Sequence, residues 1–289
     1  MQDLHDKAAF VTGGASGMGL AMARSLGRAG MRVAVADVEW PALEAAAADL
    51  GTEGFDVWPV RVDVSDRAAM EQAAEATVAR FGKVHVLCNN AGVSVAGPVD
   101  RMQYADWDWV LGVNLSGVIN GLHAFLPHLK HHGEGGHVVN TSSISGLVPE
   151  GGVSVYVCSK FAVVGLSESI RQELAPYGIG VTVLCPHAVA TNIVKSGRNR
   201  PESLQRRRRG GTPSAEAVAM QQMIEAAVAA TFADAMDPAL IGDMVVDAIR
   251  HDDAYIFSHP EDRAAVAARH AALMASFDRW ERYRAGRDS

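Results

Sequence analysis

Aromatic residues, cysteines and basic charge are all scarce in this sequence. Of 289 residues, 6% are aromatic and three are cysteines, and 26 Lys and Arg stand against 33 Asp and Glu, a formal net charge of -7. A negative balance disfavours general attraction to DNA, RNA or an anionic membrane surface. We therefore expect no nucleic-acid partner and no membrane partner.

The cysteines and the apolar runs exclude further classes. Cys88, Cys158 and Cys185 are odd in number, lie far apart and form no Cys-x-x-Cys pair, so neither a disulfide framework nor a structural zinc site is indicated. No stretch approaches about 18 uninterrupted apolar residues, and the N-terminus has no basic region followed by an apolar signal core. The sequence predicts a cytoplasmic protein with no metal, whose three thiols are reduced and buried.

Short apolar or β-branched runs alternate along the chain with longer alanine-rich stretches of helical period. The predicted strands are 8–12, 32–37, 57–62, 84–88, 136–142, 180–185 and 254–258. The predicted helices are 17–29, 41–50, 67–80, 107–129, 156–175, 215–235, 238–250 and about 261–284. Because a parallel crossover takes a dozen or more residues and is usually helical, this order predicts a doubly wound α/β fold with one parallel sheet.

A glycine-rich turn joins the first predicted strand to the first helix. Gly13, Gly17 and Gly19 let the backbone approach a pyrophosphate, and the helix N-terminus offers it unpaired N–H groups. Asp37 ends the second strand, where its carboxylate can accept hydrogen bonds from both ribose hydroxyls of an adenosine and repels a 2'-phosphate. The glycine-rich turn and Asp37 together predict a dinucleotide site that prefers NAD to NADP. The alternatives are a turn without a ligand and a carboxylate that caps the next helix.

Three further motifs follow in order. They are the turn Asn89-Asn90-Ala91-Gly92, a strand that ends at Ser143, and Tyr156-x-x-x-Lys160. With the spacing T-G-x-x-x-G-x-G, they make residues 7–192 resemble the short-chain dehydrogenase/reductase family, which implies a Rossmann-like sheet. The resemblance implies that NAD is bound by Gly13, Ser16, Gly17, Met18, Gly19, Asp37, Asp63, Val64, Asn90, Ala91, Gly92, Tyr156, Lys160, Pro186, Val189 and Thr191.

The same resemblance implies a catalytic tetrad of Asn114, Ser143, Tyr156 and Lys160. Tyr156 and Lys160 are four residues apart, so they share one helix face. An adjacent ammonium favours the phenolate, so Tyr156 is predicted to transfer the proton, while Lys160 lowers its pKa and reaches the nicotinamide ribose. Ser143 is preferred to Ser142 because the family places its serine 13 residues before the tyrosine, where it polarises the substrate oxygen. Asn114 is expected to hold a water linked to Lys160.

Several positions remain open to more than one interpretation. His187 stands where the family usually has glycine. Its side chain has three interpretations: a substrate contact, a second proton donor or, as we favour, a tolerated side chain turned away from the cofactor. The run Arg206 to Arg209 has two interpretations: its guanidinium groups bind an anionic substrate or, as we favour, they are solvated. Cys158 is expected to pack in the core. An apolar stripe either lines the site or packs elsewhere; it comprises Met220, Met223, Ile224, Val228 and Phe232.

The sequence as a whole predicts one domain, 1–289. Its core is 7–192 with 238–258, its substrate-binding segment is 186–235, and its C-terminal extension is 259–289. We expect an NAD-dependent oxidoreductase that interconverts a secondary alcohol and a ketone. The alternatives are a non-catalytic dinucleotide-binding regulator, which should lack part of the tetrad, and an NAD-dependent epimerase, which should have a different glycine spacing.

Two stretches narrow the expected substrate. Residues 104–108 with 113–115, and residues 255–261, resemble a subgroup that includes bacterial dehydrogenases acting on the benzylic alcohol of lignin-derived aryl ethers. The resemblance implies a hydrophobic or aromatic small-molecule substrate. In this family two long helices pair across a two-fold axis, which here implies a homodimer or homotetramer.

Overall fold

A computed structural model describes residues 1–206, 222–223, 226 and 230–287. It contains a seven-stranded parallel sheet in the order β3-β2-β1-β4-β5-β6-β7. The strands are β1 Ala8–Thr12, β2 Arg32–Asp37, β3 Val57–Arg61, β4 Val86–Asn89, β5 Gly136–Thr141, β6 Ile179–Cys185 and β7 Tyr255–Phe257. The predicted doubly wound, Rossmann-like sheet is confirmed.

Helices cover both faces of this sheet. They are α1 Gly17–Arg28, α2 Trp40–Thr52, α3 Arg67–Phe81, α4 Tyr104–Leu111, α5 Gly117–His131, α6 Ser154–Leu174, α7 Pro238–His251 and α8 Arg263–Ala285. Side chains alternate along a strand, so Ala9 and Val11 of β1 pack with α1, α2 and α7, while Phe10 packs with α3, α5 and α6. Every residue of β1 is buried, which explains why its sequence is an apolar run.

The long helix predicted at 107–129 is interrupted and begins earlier. It starts at Tyr104 because Gln103 and Asp106 cap each other's backbone N–H groups, and a π-helical turn at Gly112–Ser116 separates α4 from α5. The stretch Tyr104–His131 is also the one described helix long and apolar enough to cross a membrane, but 56% of its most apolar window is buried within the protein. It therefore packs as a core helix.

The C-terminal helix differs from all the others. Nothing along α8 is buried, and Leu273, Phe277 and Trp280 are exposed. Its position agrees with the predicted helix near 261–284. The predicted helix 215–235 falls largely on residues outside the described ranges.

One cysteine contradicts the prediction of three buried thiols. Cys88 and Cys185 are buried, and burial raises the pKa of each thiol to about 12. Cys158 is exposed. It does point away from Tyr156 and Lys160 as expected, but that side of α6 is protein surface and not core.

Candidate active site

The strand order reverses between β1 and β4, and a cavity of about 960 Å³ opens at the carboxyl ends of the strands around this point. Crevices at such switch points bind ligands in open α/β sheets. The predicted site residues that line it are Gly13, Ser16, Gly17, Met18, Asp37, Asp63, Val64, Asn90, Ala91, Gly92, Ser143, Tyr156, Lys160, Pro186, Val189 and Thr191. The cavity thus brings together all of the predicted residues except Gly19 and Asn114.

The glycine turn has a backbone that only glycine adopts easily. Gly13 and Gly17 have φ of 66° and 55°. A Cβ on Gly17 would lie 3.0 Å from Cγ2 of Thr191, so the turn sits directly against the segment that follows β6. A Cβ on Gly19 would lie 2.1 Å from the carbonyl oxygen of Gly13. Gly19 therefore permits close packing of α1 on the turn and does not line the cavity.

Thr12, which the sequence analysis did not single out as a contact, joins this turn to the turn after β4. Its Oγ1 accepts hydrogen bonds from the backbone N–H groups of Asn90 (2.9 Å) and Ala91 (3.0 Å). The side-chain amide of Asn90 donates to the Thr12 carbonyl at 2.9 Å. The two turns at the switch point are thereby fixed to each other.

Asp37 lies at the end of β2 with both carboxylate oxygens turned into this region. Oδ2 accepts the N–H of Ala15 at 3.1 Å, and Oδ1 accepts the N–H of Glu39 at 3.0 Å. Burial raises the pKa of Asp37, and these backbone hydrogen bonds oppose the rise. Each oxygen keeps a free lone pair for a further donor.

Two other predicted cofactor contacts are held by their own surroundings. The carboxylate of Asp63 accepts from the N–H (2.9 Å) and hydroxyl (2.7 Å) of Ser65. The carbonyl of Val64 accepts from the Asn120 side chain at 2.8 Å. These bonds fix the loop after β3 on the cavity wall.

The two candidate serines face different ways, as extended backbone requires. Ser142 donates its hydroxyl to the Lys160 carbonyl at 2.8 Å, inside the protein. Ser143 lies 3.4 Å from the Pro186 carbonyl through its Oγ and forms a hydrogen bond with Tyr156. Both serines line the cavity, and the role of Ser143 at the substrate oxygen stays a prediction.

Lys160 and Asn114 converge behind Gly92. A Cβ on Gly92 would lie 3.6 Å from Asn114 Oδ1 and 3.7 Å from Lys160 Nζ. Nζ donates to the Thr141 carbonyl at 2.8 Å and lies 5.4 Å from the centre of the Tyr156 ring. The four residues predicted as a tetrad therefore belong to one connected cluster.

Asn114 is fully engaged through its side chain. Its amide accepts from the N–H of Val93 (2.8 Å) and donates to the Val93 carbonyl (3.0 Å) and to Ser159 Oγ (3.1 Å). Ser159 in turn donates to the Tyr156 carbonyl at 2.6 Å. Asn114 therefore ties the π-helical turn to the helix that carries Tyr156. Its predicted water remains a prediction.

The titration of Tyr156 and Lys160 is governed by burial. Burial raises the pKa of Tyr156 to about 12, while the hydrogen bond with Ser143 lowers it. Burial also lowers the pKa of Lys160 to about 8. The lowering of the tyrosine pKa that we expected from Lys160 is not the dominant influence, because both groups are desolvated.

An ion-pair cluster that the sequence analysis missed anchors the segment after β6. Asp106 is fully buried, and its Oδ1 accepts from Arg200 (2.6 Å) and Arg206 (2.8 Å). Burial alone would raise the pKa of Asp106, but the hydrogen bonds from Arg206, the Gln103 backbone and Arg200 together lower it. Arg206 thus pairs with a buried carboxylate while its side chain stays 46% exposed, and Arg207 to Arg209 lie outside the described residues.

A second ion pair joins the same segment to the loop after β2. Arg198 bonds both carboxylate oxygens of Glu39, at 2.5 and 3.2 Å, and Asn199 donates to Oε1 at 2.8 Å. The hydrogen bond from Arg198 lowers the pKa of Glu39. Glu39, Arg198 and Asn199 all line the cavity, and Glu39 follows Asp37 by two positions in the sequence. Nothing in the local sequence of Glu39 indicates a partner 159 residues away.

Two open positions have different outcomes. His187 is on the cavity wall, with Nδ1 2.9 Å from a carboxylate oxygen of Asp262. For the apolar stripe, Phe232 lines the cavity and Met223 is 67% exposed. Met220, Ile224 and Val228 lie outside the described residues.

Comparison with known proteins identifies the family. The profile of the family "short chain dehydrogenase" matches residues 7–202. A C alpha-dehydrogenase of Sphingobium sp. strain SYK-6 is 35% identical over 277 residues, which are 96% of this chain and 88% of that protein.

Solved structures agree. A short-chain dehydrogenase/reductase of Burkholderia phymatum in complex with NAD is 34% identical, with a TM-score of 0.88 over 96% of this chain and 97% of its own. The apo form of LigD from Sphingobium sp. strain SYK-6 is 31% identical, with a TM-score of 0.78 over 95% of this chain and 98% of its own. Since the family match spans both the glycine turn and the Tyr156 helix, the chain belongs to the short-chain dehydrogenase family of oxidoreductases.

Proposed function

We propose that this protein is an NAD-dependent dehydrogenase that interconverts a hydrophobic or aromatic secondary alcohol and its ketone. The observation that carries the proposal is one cavity whose wall contains the glycine turn, Asp37 and the cluster of Ser143, Tyr156 and Lys160. Support for NAD comes from the Burkholderia phymatum relative, which was solved in complex with it. Support for the dehydrogenase activity comes from the relative named C alpha-dehydrogenase, and support for a hydrophobic substrate class comes from the apolar side chains on the cavity wall.

The residues present fit a dinucleotide. Gly13 and Gly17 expose backbone N–H groups without Cβ atoms, the N-terminus of α1 offers positive partial charge, and Asp37 keeps lone pairs for ribose hydroxyls. Among the described residues, the Lys and Arg side chains on the cavity wall are Lys160 and Arg198, and Arg198 is engaged with Glu39. NAD, when bound, supplies the hydride acceptor.

The chain's own residues handle the proton. Tyr156 is the acid/base at the substrate oxygen, and Ser143, which hydrogen bonds to it, orients that oxygen. Lys160, held by Thr141, supplies positive charge behind the phenol. With a pKa of about 12, Tyr156 is a neutral phenol at neutral pH, a form suited to donate a proton during ketone reduction; alcohol oxidation needs the phenolate.

The cavity wall carries a set of apolar side chains in addition to the tetrad and the cofactor-binding turns. They include Val93, Trp109, Val153, Ile193, Val194, Leu204 and Phe232. An apolar wall of this kind favours a large hydrophobic or aryl group, because that group loses contact with water when it binds. Short aliphatic alcohols and free sugars gain less.

A panel of secondary alcohols tests the proposal. The purified protein is assayed with NAD and with NADP by absorbance of the reduced cofactor, using 1-phenylethanol, 1-phenylpropan-1-ol, propan-2-ol and a free sugar. We expect the aryl carbinols with NAD to give the highest kcat/KM. Equal efficiency with propan-2-ol contradicts the substrate class, and equal efficiency with NADP contradicts the cofactor.

We propose further that the protein is a cytoplasmic homodimer or homotetramer. The exposed apolar side chains of α8, among them Phe277 (70% exposed) and Trp280 (54% exposed), support self-association because isolated apolar faces are costly in water. A monomer at micromolar concentration in analytical ultracentrifugation contradicts this.

A further inference from the structure

His187 is fixed beside the predicted catalytic serine. Its backbone N–H donates to Ser258 Oγ at 3.0 Å. The carbonyl of the preceding Pro186 accepts the N–H of Ile144 at 2.9 Å and lies 3.4 Å from Ser143 Oγ. The backbone of His187 is therefore fixed directly after Pro186, the residue at which Ser143 contacts the segment after β6.

The imidazole of His187 has a defined orientation. Nδ1 lies 2.9 and 3.1 Å from the two carboxylate oxygens of Asp262, whose side chain is 16% exposed. A carboxylate only accepts, so Nδ1 carries a proton and the ring nitrogen left for a ligand is Nε2. No partner for Nε2 is found in the part of the chain that the structure describes. The His187 side chain is 37% exposed and lines the cavity.

A hydroxyl is the group that suits this nitrogen best. The neutral ring presents an acceptor at Nε2 and the protonated ring presents a donor, and a hydroxyl can pair with either. An ether or ketone oxygen pairs only with the protonated ring.

We propose that His187 and Asp262 form a hydroxyl-binding subsite, in which Nε2 of His187 holds a second hydroxyl of the substrate while Tyr156 and Ser143 act on the first. Asp262 is a positioning residue that fixes the ring. The preferred substrate class is then a secondary alcohol that carries another hydroxyl along its chain. This rests on the proposed function.

Matched substrates test the subsite. The holoenzyme with NAD is assayed on 1-phenylpropan-1-ol and on its 1,2-diol and 1,3-diol analogues, which differ only in the second hydroxyl. We expect kcat/KM for at least one diol to exceed that for the mono-ol by about tenfold, the net effect of about one hydrogen bond.

Variants then assign the preference to the ring. His187→Ala should bring the diol to mono-ol ratio close to one, and His187→Gln, which keeps a donor and an acceptor at similar reach, should restore part of it. Asp262→Ala should lower the ratio by releasing the ring. The control is His270→Ala, which removes an exposed imidazole of α8 that is not on the described cavity wall, and should keep the wild-type ratio.

The outcomes separate the two proposals. If the mono-ol is oxidised but no diol is preferred, or if His187→Ala keeps the preference, the subsite is wrong and the dehydrogenase assignment stands. If none of the alcohols is oxidised with NAD, the proposed function fails and the subsite fails with it. Binding of NAD to each variant, followed by its thermal shift, shows that the variants are folded.

Discussion

The glycine-turn end of the cavity is held by hydrogen bonds between neighbouring strand ends, whereas its substrate end is held by ion pairs between residues distant in sequence. At the first end, Thr12 and Asn90 connect the turns after β1 and β4. At the second end, Asp106 binds Arg200, 94 positions away. The same segment after β6 also reaches the glycine-turn end, where Arg198 binds Glu39, 159 positions away. The first construction follows from the pairing of β1 with β4 in the sheet, while the second depends on how the segment after β6 folds back over the cavity. The five predictions below test that contrast.

The largest effect is expected where both ends meet, at Tyr156. Tyr156→Phe removes the transferable proton and leaves the ring packed, so we expect turnover to fall by at least ~100-fold. NAD affinity should change little. Single-turnover kinetics and cofactor titration measure the two effects, and a variant that keeps a tenth of wild-type turnover rules out Tyr156 as the acid/base.

Loss of the buried carboxylate at the substrate end should destabilise the fold. Asp106→Ala leaves Arg200, whose side chain is 7% exposed, without its partner, and we expect the free energy of unfolding to fall by about 3 kcal/mol. Urea unfolding measures this. Asp100→Asn, an exposed neutralisation of the same sign, is the control and should change stability by less than about 0.5 kcal/mol.

These ion pairs also show where sequence reasoning stops. The sheet and its flanking helices follow from apolar runs and helical periods, which are local, and the motif residues follow from family spacing. The partners of Asp106 and Glu39 depend on how the segment after β6 folds back over the cavity, and no local pattern encodes that path. Likewise, nothing in the sequence near His187 indicates its contact with Asp262, which lies 75 positions later.

Cofactor preference should depend on one side chain at the glycine-turn end. Asp37→Ser removes the charged acceptor for the ribose hydroxyls, so we expect kcat/KM with NAD to fall by about 10- to 100-fold while the value with NADP falls less or rises. Assays with both cofactors decide this. An unchanged NAD to NADP ratio disproves the role of Asp37.

The rate of alcohol oxidation should rise with pH. Because burial raises the pKa of Tyr156 to about 12, its phenolate fraction grows about tenfold for each pH unit below that value. We expect kcat/KM for oxidation to increase from pH 6 to pH 9 and the reverse reduction not to follow the same rise. A flat oxidation profile in a chemistry-limited assay argues against proton removal by Tyr156.

The smallest effect is expected at the exposed ion pair. Glu39→Gln weakens the contacts with Arg198 and Asn199, and exposed pairs contribute about 0–1 kcal/mol, so KM for NAD should rise by no more than about fivefold. Glu44→Gln, on the exposed side of α2, is the control. A rise above tenfold shows that this ion pair holds the cofactor end as firmly as the backbone turns do.

The π-helical turn at Gly112–Ser116 sets the angular phase between α4 and α5. Each extra residue in a helix advances the following face by about 100°, so the turn lets α4 direct Asp106 and Trp109 inward near the substrate while α5 directs Phe125 onto the sheet. Asn114, within the turn, is locked to Val93. Deleting Val113 would restore a regular α-helix. The inward face of α4 or the sheet-facing side of α5 would then rotate away from the residues that it contacts. One continuous helical stretch can therefore supply side chains both to the cavity wall and to the sheet, because the π-helical turn lets α4 and α5 face in different directions.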